Sequence, residues 1–226
     1  AQALKNLEKE GVVEFFEKRV FRRFLAEPMP PIEEFQQLTD DQQKVFEELD
    51  DSLHKDEYQT FLLEGVTGSG KTEVYLHAVR LTQELGKSSL VLVPEISLTP
   101  LLVNRFRSRF GDNVAVLHSG MDDGERYDEW SRVRNGLTSI VVGARSAVFA
   151  PLNNLGLVIV DEEHDGSYKQ AETPRYHARD VAVYRGFKSN ATVLLGSATP
   201  SLESSYNVQL GKYHPLFLQK RIFQPE

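Results

Sequence analysis

An α/β fold, with a mostly parallel β-sheet covered by helices on both faces, is what this 226-residue sequence predicts. Three observations predict it. The strand-like runs are short and apolar throughout, as in Leu155-Gly156-Leu157-Val158-Ile159-Val160. Strands of that kind are buried on both faces, the habit of parallel sheets. They are separated by stretches whose apolar residues recur at helical spacing, the alternation of a βα series. Glycine, hydroxyl and acidic residues gather directly after the strands, at 65–72, 161–164 and 196–199, where open parallel sheets collect their ligands.

Taken in order, Ala3, Leu4 and Leu7 have helical spacing within Ala1–Lys9, and Gly11 suits the helix C-cap. Val12 to Glu17 reads as a strand. Lys18-Arg19-Val20-Phe21-Arg22-Arg23 is a basic cluster with an aromatic inside it, read either as a phosphate-contacting turn or as a solvated hairpin. Residues 1–26 thus form a small α/β remnant. Pro28, Pro30 and Pro31 resist helix and strand alike and mark 27–36 as a linker, with the main domain at 37–226. Thr39 N-caps the next helix, Asp40 and Asp41 suit its positive end, and Gln42 stands at the capping-box position. The Gln42 amide is equally able to read an adenine edge. The expected elements that follow are a strand at 60–63, a helix at 73–85, a strand at 89–93 and a helix opened by Thr99-Pro100 that stops at Gly111. A strand at 114–118, a charged helix at 122–135 with the single Trp130, and a strand at 139–142 come next. Strand 155–160, helix 178–187 and strand 192–195 complete the core, and Ser201 starts a last helix.

The chemistry is densest at Gly65-Val66-Thr67-Gly68-Ser69-Gly70-Lys71-Thr72, which satisfies the phosphate-loop pattern G-x-x-x-x-G-K-[ST]. A strand before it and a helix after it make an anion site of backbone N–H groups and helix dipole. Gly68 and Gly70 permit the tight loop path. Lys71 would reach the β- and γ-phosphates and the Thr72 hydroxyl would ligate Mg²⁺. Asp161-Glu162-Glu163-His164 follows a buried strand. Asp161 would hold Mg²⁺, partly through water, and Glu162 would polarise the attacking water, one carboxylate for each task. At Gly196-Ser197-Ala198-Thr199-Pro200, two readings stand: a strand-to-helix turn with a capping hydroxyl, or a Ser197/Thr199 relay to Asp161 and His164 that senses the γ-phosphate. Between them, residues 165–180 interleave Tyr168 and Tyr176 with Lys169, Arg175 and Arg179. Aromatic faces for bases and cations for phosphates suit a single nucleic-acid strand.

Composition narrows the classes. No run approaches the roughly 18 apolar residues of a membrane span. Zero cysteines exclude disulfides and cysteine-ligated zinc within this stretch and fit a cytosolic protein. A net charge of −7 means that any nucleic-acid surface is a local patch. A GTPase is disfavoured because no N-K-x-D follows, and an ABC-type ATPase because no L-S-G-G-Q does.

These motifs stand in helicase order. From about Leu38 to about Tyr206 the chain resembles superfamily 2 helicases, and among them the first lobe of the primosomal protein N′ (PriA) family of replication-restart DNA helicases. The resemblance rests on LTDDQ, GVTGSGKTEVYL, LVPEISLTP, LHSG, VVGARSAVFAP, VIVDEEHDGSYKQ, RYHARDVAVYR and GSATPSLES. It implies a RecA-like P-loop NTPase lobe that uses ATP and Mg²⁺. It also implies 3′→5′ unwinding at abandoned forks, single-stranded and forked DNA as substrate, primosome and single-strand-binding proteins as partners, no membrane, and a bacterial cytoplasmic, nucleoid-associated setting. It puts Gln42 in the adenine-contacting motif, Arg145 on a DNA-contacting motif, and Tyr168 to Arg179 on an aromatic-rich loop coupling DNA to ATPase. Residues 1–26 resemble the end of that family's winged-helix domain. The family further has a second RecA-like lobe supplying arginine fingers, zinc-binding cysteines and a DNA 3′-end-binding domain. This stretch reads as an excised fragment, so weak nucleotide binding and poor hydrolysis are expected of it alone. Two alternatives remain: a branched-DNA remodelling helicase of RecG type, which shares the nucleotide chemistry but not DEEHDGSYKQ…RYHARD, and a non-enzymatic, nucleotide-gated binding platform.

Overall fold

The computed structural model describes residues 2–9, 11–14 and 29–222. In chain order the helices and strands are α1 (Gln2–Lys9), α2 (Asp40–Lys55), β1 (Gln59–Gly65), α3 (Lys71–Glu84), β2 (Ser88–Leu92), α4 (Pro100–Phe110), β3 (Val114–Leu117), α5 (Asp123–Arg134), β4 (Ile140–Gly143), β5 (Leu155–Val160), β6 (Lys169–Gln170), β7 (Tyr176–His177), α6 (Ala178–Ser189), β8 (Thr192–Ser197), α7 (Leu202–Gln209) and β9 (His214–Leu218). Among the described residues seven strands form one sheet in the order β3-β4-β2-β5-β8-β1-β9, and every pairing in it is parallel.

The apolar runs behave as parallel-sheet strands because neighbouring residues feed opposite cores. Leu63, Val91, Leu157 and Ile159 enter one core, with Val45, Leu49, Val79 and Phe106 of α2, α3 and α4. Leu62, Leu90, Val158 and Val160 enter the other, with Val133 of α5 and Ala178 and Ala182 of α6. Cβ direction alternates along a strand, so a strand buried on both faces must be apolar at every position.

Four helix starts obey their capping chemistry, while α6, entered from His177, has no side-chain cap. Thr39 and Gln42 form a capping box on α2, Asp122 and Glu125 another on α5, Thr99 caps α4 ahead of Pro100, and Ser201 caps α7. Helix α3 differs. Its N-cap is Gly70 at φ 79°, with no side-chain cap, so its first N–H groups face the loop that precedes it. At the chain start, Gly11 at φ 73° and the bonds Gly11 N–H to Glu8 and Val12 N–H to Leu7 close α1 in a Schellman arrangement.

The structure adds two pieces to the expected set. β9 pairs with β1 beyond strand β8, so the strand at 192–195 is not the last of the sheet. Its sequence, His-Pro-Leu-Phe-Leu, is exposed on alternate residues and carries a proline, as an edge strand tolerates. The 165–180 segment contains a two-residue antiparallel pair, β6 with β7. The expected strand at 12–17 and the basic cluster at 18–23 lie largely outside the described residues. Of the proline-rich stretch, Glu33 and Phe35 are docked: Glu33 N–H donates to Ser108 O at 2.8 Å, its carboxylate pairs with Arg109, and Phe35 packs edge-on to His77 and Phe110.

Candidate active site

Three loops meet at the carboxyl edge of the sheet because β5, β8 and β1 are neighbours in that order. Each strand delivers one: Gly65–Thr72 from β1, Asp161–His164 from β5, and Ser197–Thr199 from β8. The first folds as its glycines require, with φ 80° at Gly68 and 79° at Gly70. Lys71 is 8% exposed, and its ammonium donates to Gly65 O at 2.8 Å. The Ser69 hydroxyl is buried without a hydrogen-bond partner, an orphaned polar atom inside the cradle. Val66, Thr67 and Gly68 face outward and Thr72 is half-buried. A cleft of about 550 Å³ opens over this loop, lined also by Arg105, Arg109, Asp161 and Glu162.

The acidic turn reaches the same cleft. Glu162 Oε1 lies 3.5 Å from Lys71 Nζ. Glu162 holds φ 44°, a left-handed conformation that strains a residue with a Cβ. The turn keeps it there through Asp161 N–H to Leu92 O, Glu163 N–H to Gly196 O and Asp165 N–H to Glu162 O, at 2.8–3.0 Å. Asp161 accepts a 2.9 Å bond from the Tyr75 hydroxyl. Burial, more than repulsion from Glu162, raises its pKa from the ordinary carboxylate value, while the Tyr75 bond and Lys71 oppose the rise. The Tyr75 phenol is held well above its ordinary range, first by burial and then by Asp161, so it stays a donor. Gly196 makes this contact sterically possible: a methyl group there would overlap the Tyr75 hydroxyl.

The third loop is bonded to the second. His164 Nδ1 is 2.7 Å from Ser197 Oγ, and its Nε2 is 3.4 Å from Thr199 Oγ1. His164 also lies 3.7 Å from Glu162 Oε2. Gln42 is buried and bridges two elements, accepting from Thr39 N–H at 2.9 Å and donating to Gly70 O at 3.1 Å. An adenine contact through this amide requires those bonds to be released.

Two residues offered for strand stacking and phosphate pairing are placed otherwise. Tyr168 is 0% exposed, so it presents no face to a base. Its hydroxyl donates to Asp161 O at 2.6 Å. Arg179 is buried and committed to Glu163 at 3.0 Å, Ser201 at 2.7 Å and Asp180 at 3.0 Å. An arginine so placed is a structural tie, and the phosphate-contact reading fails there. Arg145 is half-buried and grips the carbonyls on either side of Tyr168, Ser167 O at 3.2 Å and Lys169 O at 2.8 Å. Tyr176 is half-buried edge-on to Phe149. Lys169 and Arg175 remain exposed. Tyr168→Ala is therefore expected to destabilise the fold by about 3–5 kcal/mol, as for other large buried aromatics, read as a lowered urea midpoint. Denaturation unchanged from wild type would contradict that burial.

Residues 39–208 match the DEAD/DEAH box helicase family. The chain belongs to that family. It is 50% identical over 222 residues to the replication restart protein PriA of Bacillus subtilis, covering 96% of this chain and 26% of that protein. To PriA of Haemophilus influenzae it is 55% identical over 164 residues, covering 73% of this chain and 22% of the relative. The chain thus spans about a quarter of the length of these curated relatives. In fold it is similar to the Pyrococcus furiosus Hef helicase domain, with a TM-score of 0.55 at 17% identity over 79% of this chain and 37% of that one. It is likewise similar to the helicase MrfA bound to DNA, with a TM-score of 0.54 at 17% identity over 81% of this chain and 27% of that one. For a DEAD/DEAH box helicase chain, the sequence reading missed Tyr75 and Glu163. Glu163 is 0% exposed and accepts from Ser201 N–H, the Ser201 and Ser204 hydroxyls and Arg179 at 2.7–3.0 Å. The signal for Glu163 was an acid too many in Asp-Glu-Glu-His; for Tyr75 it was a hydroxyl one helical turn after Lys71.

Proposed function

We propose that this chain is the ATP-binding lobe of an ATP-dependent DNA helicase of replication restart. One observation carries the reading: the Lys71 ammonium and the Glu162 carboxylate approach to 3.5 Å between the loops after β1 and β5, the two strands that flank β8, and both line one cleft, which supports a phosphate end and a hydrolytic acid acting together. The backbone N–H groups of Thr67, Gly68 and Gly70 and the uncapped start of α3 would cradle the phosphates, those of Val66 and Ser69 being donated to Leu218 O and Val66 O. Lys71 pairs with the β- and γ-phosphates, and Glu162 takes up the proton of the attacking water. Thr72 and Asp161 fit a Mg²⁺ ion: both are oxygen donors, and Asp161 is a desolvated carboxylate that a cation would relieve. When bound, Mg²⁺ neutralises charge on the phosphate oxygens. The His164–Ser197–Thr199 bonds would carry the presence of the γ-phosphate into the loop after β8.

Opening and closing against a second RecA-like lobe would drive 3′→5′ unwinding, with primosome and single-strand-binding proteins as partners; the similarity to replication restart proteins supports the replication-restart setting. The test is the ATPase of the full-length protein with single-stranded DNA, forked DNA and RNA side by side. DNA should stimulate, forks most and RNA least; equal rates throughout would sink the reading. Within the 165–180 segment, the exposed Lys169 and Arg175 are the cations left for phosphate contact. Replacing both by alanine should leave stability within about 0.5 kcal/mol and raise the DNA concentration for half-maximal stimulation roughly tenfold. Unchanged DNA dependence would remove this segment from the DNA path.

A further inference from the structure

We propose that Tyr75 is a positioning residue for Asp161, the carboxylate that would face the metal, and that residue 196 is glycine in order to admit its hydroxyl. The inference rests on the nucleotide-site reading above. Lys71 and Tyr75 stand one turn apart on α3 and so project from one face of it. From that face Lys71 meets Glu162 and Tyr75 meets Asp161, at 3.5 Å and 2.9 Å. The helix that begins at the phosphate cradle therefore sets the distance of both acids from it.

Packing does not require the hydroxyl. The Tyr75 ring belongs to the apolar core that also holds Leu63, Val79 and Leu194, a place a phenylalanine would fill as well. A buried phenol there must find a partner, and the partner is a carboxylate at the cleft. Asp161 is fixed from two sides: Tyr168 donates to its carbonyl at 2.6 Å and Tyr75 to its side chain. A group that orients a metal-holding carboxylate typically governs affinity for the ion by 10–100-fold.

The test uses the full-length protein and Mn²⁺ as probe, its binding read by electron paramagnetic resonance with a saturating non-hydrolysable ATP analogue. Tyr75→Phe should weaken Mn²⁺ binding by about tenfold while leaving metal-free nucleotide binding unchanged in a variant that circular dichroism shows to be folded. Gly196→Ala, which keeps the phenol but displaces its hydroxyl, should weaken Mn²⁺ binding in the same way, and the double variant should be no weaker than either alone. Folded variants with wild-type Mn²⁺ affinity would overturn this inference alone. Absence of nucleotide-dependent Mn²⁺ binding in the wild type would overturn the nucleotide-site reading and this inference with it.

Discussion

Glu162→Gln is expected to lower DNA-stimulated ATP turnover by roughly 10²–10⁴-fold, the contribution of a positioned general base, while triphosphate binding stays close to wild type. The amide matches the carboxylate in shape, so the acidic turn and its left-handed residue need not move. It cannot take a proton from water. The 3.5 Å ion pair with Lys71 is lost, which frees the ammonium for phosphate and works against any loss of affinity. Steady-state ATPase of the full-length protein on single-stranded DNA, beside fluorescent-nucleotide binding, separates the two quantities. Retained turnover would assign the hydrolytic role elsewhere.

Lys71→Ala acts on the other quantity. The ammonium is buried, and its present bonds are to Gly65 O and Glu162. Removing it leaves the Asp161 and Glu162 carboxylates without its countercharge in the cleft proposed to hold a polyanion. Loss of a hydrogen bond to a charged group corresponds to about 1.5–3 kcal/mol, so triphosphate affinity should fall by about 10- to 150-fold. Titration of a fluorescent ATP analogue measures it directly. Unchanged affinity would mean that the nucleotide is held without this lysine, and the cleft over 65–72 would lose its assignment.

The backbone of the site was legible in the sequence because it is written in local signals. A phosphate loop declares itself by spacing, and fully apolar strands declare a parallel sheet. Caps at Thr39 and Ser201, and the helix opened at Thr99-Pro100, follow from residue type one turn at a time. What escaped depends on which strands are neighbours. The Tyr75–Asp161 bond needs β5, β8 and β1 side by side and a glycine on the middle strand, and no spacing along the chain states that order. The same limit explains Tyr168 and Arg179. Both sit in a polar, loop-like stretch where composition favours exposure, yet contacts to Asp161 and Glu163 draw them inward. Strand β9 was missed for a different reason: its half-exposed alternation and proline give a weaker pattern than the buried strands.

The backbone at Glu162 has a practical consequence for anyone engineering this chain. Glycine adopts a φ of 44° without penalty, so exchanging the acid for glycine would ease the turn and remove the carboxylate in one step. Under the role proposed for Glu162, heat tolerance and turnover are opposed at a single codon. A library sorted only for survival at high temperature would then enrich sequences without the carboxylate, and a selection meant to keep hydrolysis has to score phosphate release alongside folding.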